Sequence, residues 1–185
     1  MRVFIAIELP ESVKEEIARI QEKLKKTRDK IKWVDPSLIH LTLKFLGEIN
    51  EKGLEKVIGA MEKVAGKFTA FNLEIKGVGA FPSSLSPRVI WIGVGEGKDA
   101  AENLARKVER ELNKEGFASE NKKWVPHLTL GRVKLLVEKE KLAEVIQKEK
   151  DIQGGSIRVE ALSIMKSRLT PKGPIYTVLK HIPLK

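Results

Sequence analysis

The sequence predicts a mixed α and β fold in two lobes, built from two similar halves. Three observations carry that expectation. Apolar, β-branched runs alternate with stretches of helical periodicity in the order β-α-β-α-β, and the order then recurs. One tetrapeptide appears twice, as His40-Leu41-Thr42-Leu43 and His127-Leu128-Thr129-Leu130, 87 residues apart. No linker or low-complexity stretch parts the halves, so residues 1–185 read as one two-lobed domain with an internal duplication.

In order, Val3–Leu9 is an apolar run and reads as a buried strand. Pro10-Glu11-Ser12 opens a helix that places Val13, Ile17, Ile20 and Leu24 on one face. Asp35-Pro36-Ser37 is a turn, and Ile39–Leu46 a strand. Asn50 caps a helix to about Lys67, with Leu54, Val57, Ile58, Met61 and Val64 inward. Phe71–Gly77 is a strand and Phe81–Pro87 a loop.

The second half gives a strand at Val89–Val94, a helix at Asp99–Glu115, a strand at Pro126–Val133 and a helix at Glu138–Glu149. Strands follow at Ile157–Lys166 and Ile175–Ile182. A shift of 87 sets Phe4-Ile5-Ala6-Ile7 against Trp91-Ile92-Gly93-Val94 and Glu51 against Glu138. Two such units packed together about an approximate two-fold axis would bring equivalent residues face to face across a cleft.

Composition narrows the chemistry. The chain has no cysteine, which excludes disulfide scaffolds, thiolate zinc sites, Fe–S clusters and cysteine nucleophiles. Its N-terminal apolar run is short and soon meets Glu8 and Glu11, so neither a signal peptide nor a membrane span is expected, and the expected location is cytoplasmic. A net charge of +10 favours a polyanionic partner, with nucleic acid first. Five Asn and three Gln are few, which points to a thermophilic source.

The duplicated tetrapeptide carries the chemistry. In a strand, residues i and i+2 share a face, so His40 lies beside Thr42, and His127 beside Thr129, while the leucines point into the core. Brought together by the two-fold axis, the motifs form a pocket of two imidazoles and two hydroxyls. One neutral and one protonated imidazole supply a base and an acid near neutral pH, as opening a cyclic phosphodiester requires. The threonine hydroxyls can donate to the non-bridging oxygens. Two histidines are too few ligands for a catalytic zinc, and no His-Glu-x-x-His accompanies them, so neither metal nor cofactor is expected.

Other residues are weighed against plainer roles. Arg132 is a candidate phosphate contact, but strict alternation puts it on the face of Leu128 and Leu130, so reaching the pocket requires a bulge near Gly131. Trp33 and Trp124 flank the motifs and are candidates for stacking on a base, ahead of Phe45 and Tyr176. Lys44 and Arg88 are candidate guides for an RNA backbone. The third histidine, His181, has Pro183 where a threonine would be needed, and is given no role. Gly93-Val94-Gly95-Glu96-Gly97-Lys98-Asp99 fails both the Walker and the Rossmann spacings, and reads as a turn with Asp99 as N-cap.

The two His-x-Thr-x motifs resemble those of the two-histidine phosphoesterase superfamily. With Arg2–Pro10, Gly79–Pro82, Pro87–Trp91, Pro126–Arg132 and Ser167–Tyr176, the whole chain is similar to the archaeal and bacterial RNA 2′,3′-cyclic phosphodiesterase group, also called 2′-5′ RNA ligase. The resemblance implies a bilobal α+β fold whose pseudo-two-fold-related lobes each carry an antiparallel sheet and outer helices about a central cleft. It implies hydrolysis of RNA 2′,3′-cyclic phosphate ends to 2′-phosphomonoesters, with His40 as general acid and His127 as general base. Reverse ligation uses the same groups. The partner it implies is RNA with a cyclic phosphate terminus, tRNA fragments among the candidates. A monomer is expected because the duplication already supplies two-fold symmetry. The competing reading of the same residues is a non-catalytic module that grips RNA ends.

Overall fold

The computed structural model describes residues 1–185. The chain forms nine strands and four helices, two strands more than the seven the sequence reading names. They are β1 (Arg2–Ile7), α1 (Glu11–Leu24), β2 (Lys30–Trp33), β3 (Leu41–Glu48), α2 (Glu51–Ala65), β4 (Phe71–Pro82) and β5 (Pro87–Val94). After these come α3 (Lys98–Lys114), β6 (Leu128–Leu135), α4 (Lys139–Lys148), β7 (Gln153–Val159), β8 (Ala161–Thr170) and β9 (Gly173–Pro183). A single 3-10 turn, Pro36–Leu38, precedes the first motif. No helix is long and apolar enough to cross a membrane.

The strands form two sheets, in the orders β3-β1-β8-β9 and β2-β6-β5-β4-β7. Every pairing is antiparallel. The sheets are not one per half of the chain. β4, from the first half, pairs with β5, while β8, from the second, pairs with β1. Helices α1 and α4 lie against the five-stranded sheet, and α2 and α3 pack on each other and against the four-stranded one. Each helix follows its 3.6-residue apolar pattern: Val13, Ile17, Ile20 and Leu24 of α1 are buried, as are Ala101, Leu104, Val108 and Leu112 of α3. Thirty-five buried residues drawn from both sheets form one continuous apolar cluster, so the two lobes share a core.

Four differences from the sequence reading have local causes. The run Ile157–Lys166 is cut at Glu160, because β7 pairs with β4 and β8 crosses to pair with β1. The Phe81–Pro87 loop is shorter than expected, since β4 runs through Pro82 and β5 starts at Pro87. The short strand β2 has only Ile31 and Trp33 as apolar residues and lies at a sheet edge, so it left no run to read.

The fourth concerns α3, which is capped by Gly97 at φ +91°, not by Asp99. A Cβ on Gly97 would fall 2.1 Å from the Asn72 carbonyl oxygen. The preceding turn is pinned to β4 by Glu74 N–H to Glu96 O (2.8 Å) and Gly95 N–H to Glu74 O (2.9 Å). The Glu74 carboxylate accepts from the Glu96 N–H. A carboxylate thus occupies the place a phosphate would need, and the glycines serve close packing.

Candidate active site

Both motifs lie at strand entrances. His40 and His127 immediately precede β3 and β6, whose burial patterns match residue for residue at the 87-residue shift. The ring Nδ1 of His40 lies 2.9 Å from the carbonyl oxygen of Leu38, and that of His127 lies 2.7 Å from the carbonyl oxygen of Val125. A carbonyl only accepts, so each Nδ1 carries the proton and donates it. Each Nε2 is therefore left for chemistry: a lone pair when the ring is neutral, a donor when it is charged.

The sheet register places the threonines. Thr42 pairs with Ala6, and Thr129 with Trp91. The first strands of the two halves are therefore equivalent at a shift of 85 residues, not 87, which corrects the match of Phe4 with Trp91. Each motif strand then carries a bulge at its second leucine: the register passes from Thr42 to Lys44 and from Thr129 to Gly131. The bulge near Gly131 returns Arg132 to the side of Thr129, paired with Val89, where it is exposed. Burial pushes up the phenol of Tyr176, on β9 of the four-stranded sheet, while Arg132 of the five-stranded sheet and Arg2 of β1 act in the opposite direction.

The rings around the histidines are harder to read from sequence. Phe4 stacks on His40 with centroids 4.8 Å apart, and Tyr176 meets the imidazole edge-on at 5.1 Å. Phe81 meets His127 edge-on at 5.2 Å and leans on Trp91. The ring belongs to β4 and not to the loop expected there. Phe4, Ala6 and Met165 form a small apolar cluster with Tyr176 and Val178, separate from the main core. The apolar run of β1 therefore serves the core on one face and the cleft on the other.

Burial pushes the His40 imidazole below its ordinary value near 6.5; Lys14 acts in the same direction, while the Leu38 carbonyl and Glu8 oppose it. In the free protein the His40 ring resonance in NMR is therefore expected to titrate below pH 6.5, and added phosphate is expected to raise its midpoint. A midpoint at or above 6.5 without phosphate would contradict the burial. The sign for stability follows. Between the depressed value and 6.5 the unfolded chain holds a proton that the folded chain lacks, so stability falls as pH drops through that window.

The remaining candidates separate. Trp124 donates its indole N–H to the Thr42 carbonyl at 3.0 Å and packs on the core. It ties the segment before His127 to the first motif. Trp33 lies on Gly131 and against the core, with the Lys25 ammonium 5.9 Å from its ring. Its ring fills part of the space a side chain at 131 would take. Lys44 does not guide an RNA backbone: its side chain is 4% exposed and paired with Glu109 at 2.8 Å. His181 sits with Glu8 and Ser163, its Nδ1 being 3.2 Å from the Glu8 carboxylate and 3.0 Å from the Ser163 hydroxyl.

Comparison with known proteins places this geometry. The family model described as LigT-like phosphoesterase matches the chain twice, over residues 7–91 and 92–176. The RNA 2′,3′-cyclic phosphodiesterase of Methanothermobacter thermautotrophicus is 38% identical over 177 residues, covering 96% of this chain and 95% of that protein. Its namesake from Thermotoga maritima is 41% identical over 180 residues, covering 97% and 93%. Among solved structures, a protein of Thermus thermophilus superimposes with a TM-score of 0.83 at 29% identity over 100% of this chain and 98% of that one. LigT of E. coli, solved with 3′-AMP, has the same fold, with a TM-score of 0.79 at 23% identity over 99% and 97%.

Proposed function

The chain belongs to the LigT-like phosphoesterase family, and from that premise we propose that it hydrolyses the 2′,3′-cyclic phosphate end of an RNA to a 2′-phosphomonoester. The observation that carries the reading is the matched pair of imidazoles, each with its Nδ1–H spent on the carbonyl two residues earlier. That pairing fixes the tautomer and leaves two Nε2 atoms for proton transfer. The relatives named as RNA 2′,3′-cyclic phosphodiesterases, over 90% of both chains, support the substrate class.

The reaction needs two proton transfers; the protein's net charge is unchanged, and the two rings, left with their protonation states exchanged, reset through solvent. His127 Nε2 takes a proton from water as the water oxygen bonds to phosphorus. The bond from phosphorus to the ribose 3′ oxygen breaks on the far side, and His40 Nε2–H protonates that oxygen. Thr42 and Thr129 donate to the non-bridging oxygens, where negative charge grows, and Arg132 adds a full positive charge. Burial disfavours the charged His40, and the negative phosphodiester opposes that effect, so the acid is recharged where the substrate binds. A 5′-hydroxyl in place of water, deprotonated by His127 while His40 protonates the departing 3′ oxygen, gives 2′-5′ ligation through the same groups. The net charge of +10 favours the RNA backbone.

The test is incubation, in EDTA, with a short RNA ending in a 2′,3′-cyclic phosphate, alongside His40→Ala and His127→Ala. Wild type alone should yield a 2′-phosphomonoester. Binding without ring opening would instead favour a module that grips RNA ends, and activity lost to the chelator would favour a metal-dependent reaction.

A further inference from the structure

The third histidine belongs to a cluster outside the reacting groups. The Ser163 hydroxyl donates to Glu8 Oε2 at 2.5 Å, and His181 Nδ1 lies 3.0 Å from the hydroxyl oxygen and 3.2 Å from the same carboxylate oxygen. A serine, a histidine and a carboxylate are the parts of a hydrolytic triad, but here they are joined in the wrong order for one. The hydroxyl proton goes to the carboxylate and not to the imidazole, and Ser163 is only 2% exposed. With that proton spent, the hydroxyl and the carboxylate both accept, and the donor between them is His181 Nδ1–H. Two protein donors therefore fix one oxygen of Glu8.

The sheet register shows where that carboxylate stands. Thr42 pairs with Ala6, Ala6 with Ser163, and Ser163 with His181, in one row across the four-stranded sheet. Cross-strand partners share a face, so the row lies on the cleft face with Thr42. Phe4, Ala6 and Glu8 alternate along one chain and share that face, and the Phe4 ring stacks on His40. Ile7 pairs with Leu41, and one step further the chains set Glu8 against His40. In the other lobe, at the 85-residue shift that relates β1 to β5, the same place holds Gly93. The strand beside His127 thus carries no carboxylate there.

Opposing influences act on His40. Burial and Lys14 of α1 disfavour its charged form, whereas the Leu38 carbonyl and the full charge of Glu8 favour it. Lys14 is tied to the Ser37 carbonyl at 3.1 Å, and the Tyr176 ring of β9 meets the imidazole edge-on. Next to His181, Lys180 turns to α2 and pairs with Glu62 at 3.1 Å. A loose carboxylate at a strand end would be screened by water; a fixed one keeps its distance from the imidazole. We infer that Glu8 is a positioning residue for the hydrolysis, held beside His40 by Ser163 and His181 so that its negative charge keeps the proton on the imidazole until the ribose oxygen leaves. The inference deepens the cyclic phosphodiesterase reading and rests on it, with His40 as the acid.

The experiment follows kcat/KM for adenosine 2′,3′-cyclic phosphate from pH 5 to 9 in wild type, Glu8→Gln, His181→Ala and His181→Asn. Glu8→Gln keeps an acceptor for Ser163 and His181 and removes only the charge. The ratio of wild-type to Glu8→Gln rate should be smallest at pH 5 and rise to about tenfold at pH 9, because without the charge His40 loses its proton earlier. The His40 ring resonance should titrate at lower pH in Glu8→Gln than in wild type. His181→Ala, which frees the carboxylate, should reproduce part of the rise; His181→Asn, which keeps a donor in place of Nδ1, should not. A loss of equal size at every pH, or no loss, would overturn the inference while leaving the phosphodiesterase intact. So would a Glu8→Gln protein faster than wild type at pH 5, which would make His40 a base. If wild type does not open the ester, the phosphodiesterase reading falls and the role of Glu8 falls with it.

Discussion

Alanine in place of either His40 or His127 is expected to lower kcat/KM on a cyclic phosphate RNA end by at least about 10²-fold, and an activated ester is expected to separate the two roles. Each ring is anchored by a carbonyl to the loop before its strand and presents one nitrogen, so truncation removes a proton carrier, together with the ring that Phe4 and Tyr176 pack on at His40 and that Phe81 meets at His127. A p-nitrophenyl phosphodiester has a leaving group that departs without a proton. On that substrate His40→Ala should recover most of its deficit, because the acid is no longer needed. His127→Ala should not, because water must still be activated. Recovery in His127→Ala alone would exchange the two roles, and recovery in neither would mean that both rings do more than carry protons.

Glu109→Ala is expected to destabilise the fold by about 3 kcal/mol, the lower end for a broken buried ion pair, since Glu109 is 29% exposed. Lys44 leaves β3 toward α3, where its ammonium meets the Glu109 carboxylate and the Ala118 carbonyl, each at 2.8 Å. Glu109 also accepts the Glu120 N–H. Removing the carboxylate leaves the buried Lys44 ammonium with only the Ala118 carbonyl as a partner. Replacing both partners by apolar residues, Lys44→Met with Glu109→Leu, should come within about 1 kcal/mol of wild type, because it removes the charge along with its partner. Urea unfolding midpoints compare the three proteins. Equal destabilisation by the single and double replacements would show that the ammonium tolerates its isolation.

The same lysine shows where sequence reading reaches its end. The duplicated His-x-Thr-x motif is legible because period-2 alternation and a repeat act at short range. The helices are legible because their apolar faces recur every three to four residues. Lys44 reads as a surface cation in a basic chain, and only the approach of α3 buries it. Arg132 can be assigned to the cleft only on condition of a bulge, and the register supplies one. Trp33 and Trp124 stand out for their nearness to the motifs in sequence, and only the fold supplies their long-range partners, Gly131 and the Thr42 carbonyl. Phe81 and Tyr176 reach the histidines only because β4 and β8 cross between the halves.

That crossing also sets a timetable for the nascent chain. β1 can meet β3 early, but its other edge waits for β8, where Arg2 pairs with Ser167 and Ala6 with Ser163. At about 5–20 residues per second, the ribosome needs on the order of 10–30 s to deliver that partner. Until then an apolar strand stands open on one side, with the pairing groups of its edge unsatisfied. The order of emergence therefore leaves β1 half-paired until β8 has been made, with Arg2 and Glu8, at either end of the open strand, as the charges that discourage a neighbouring chain from filling the gap.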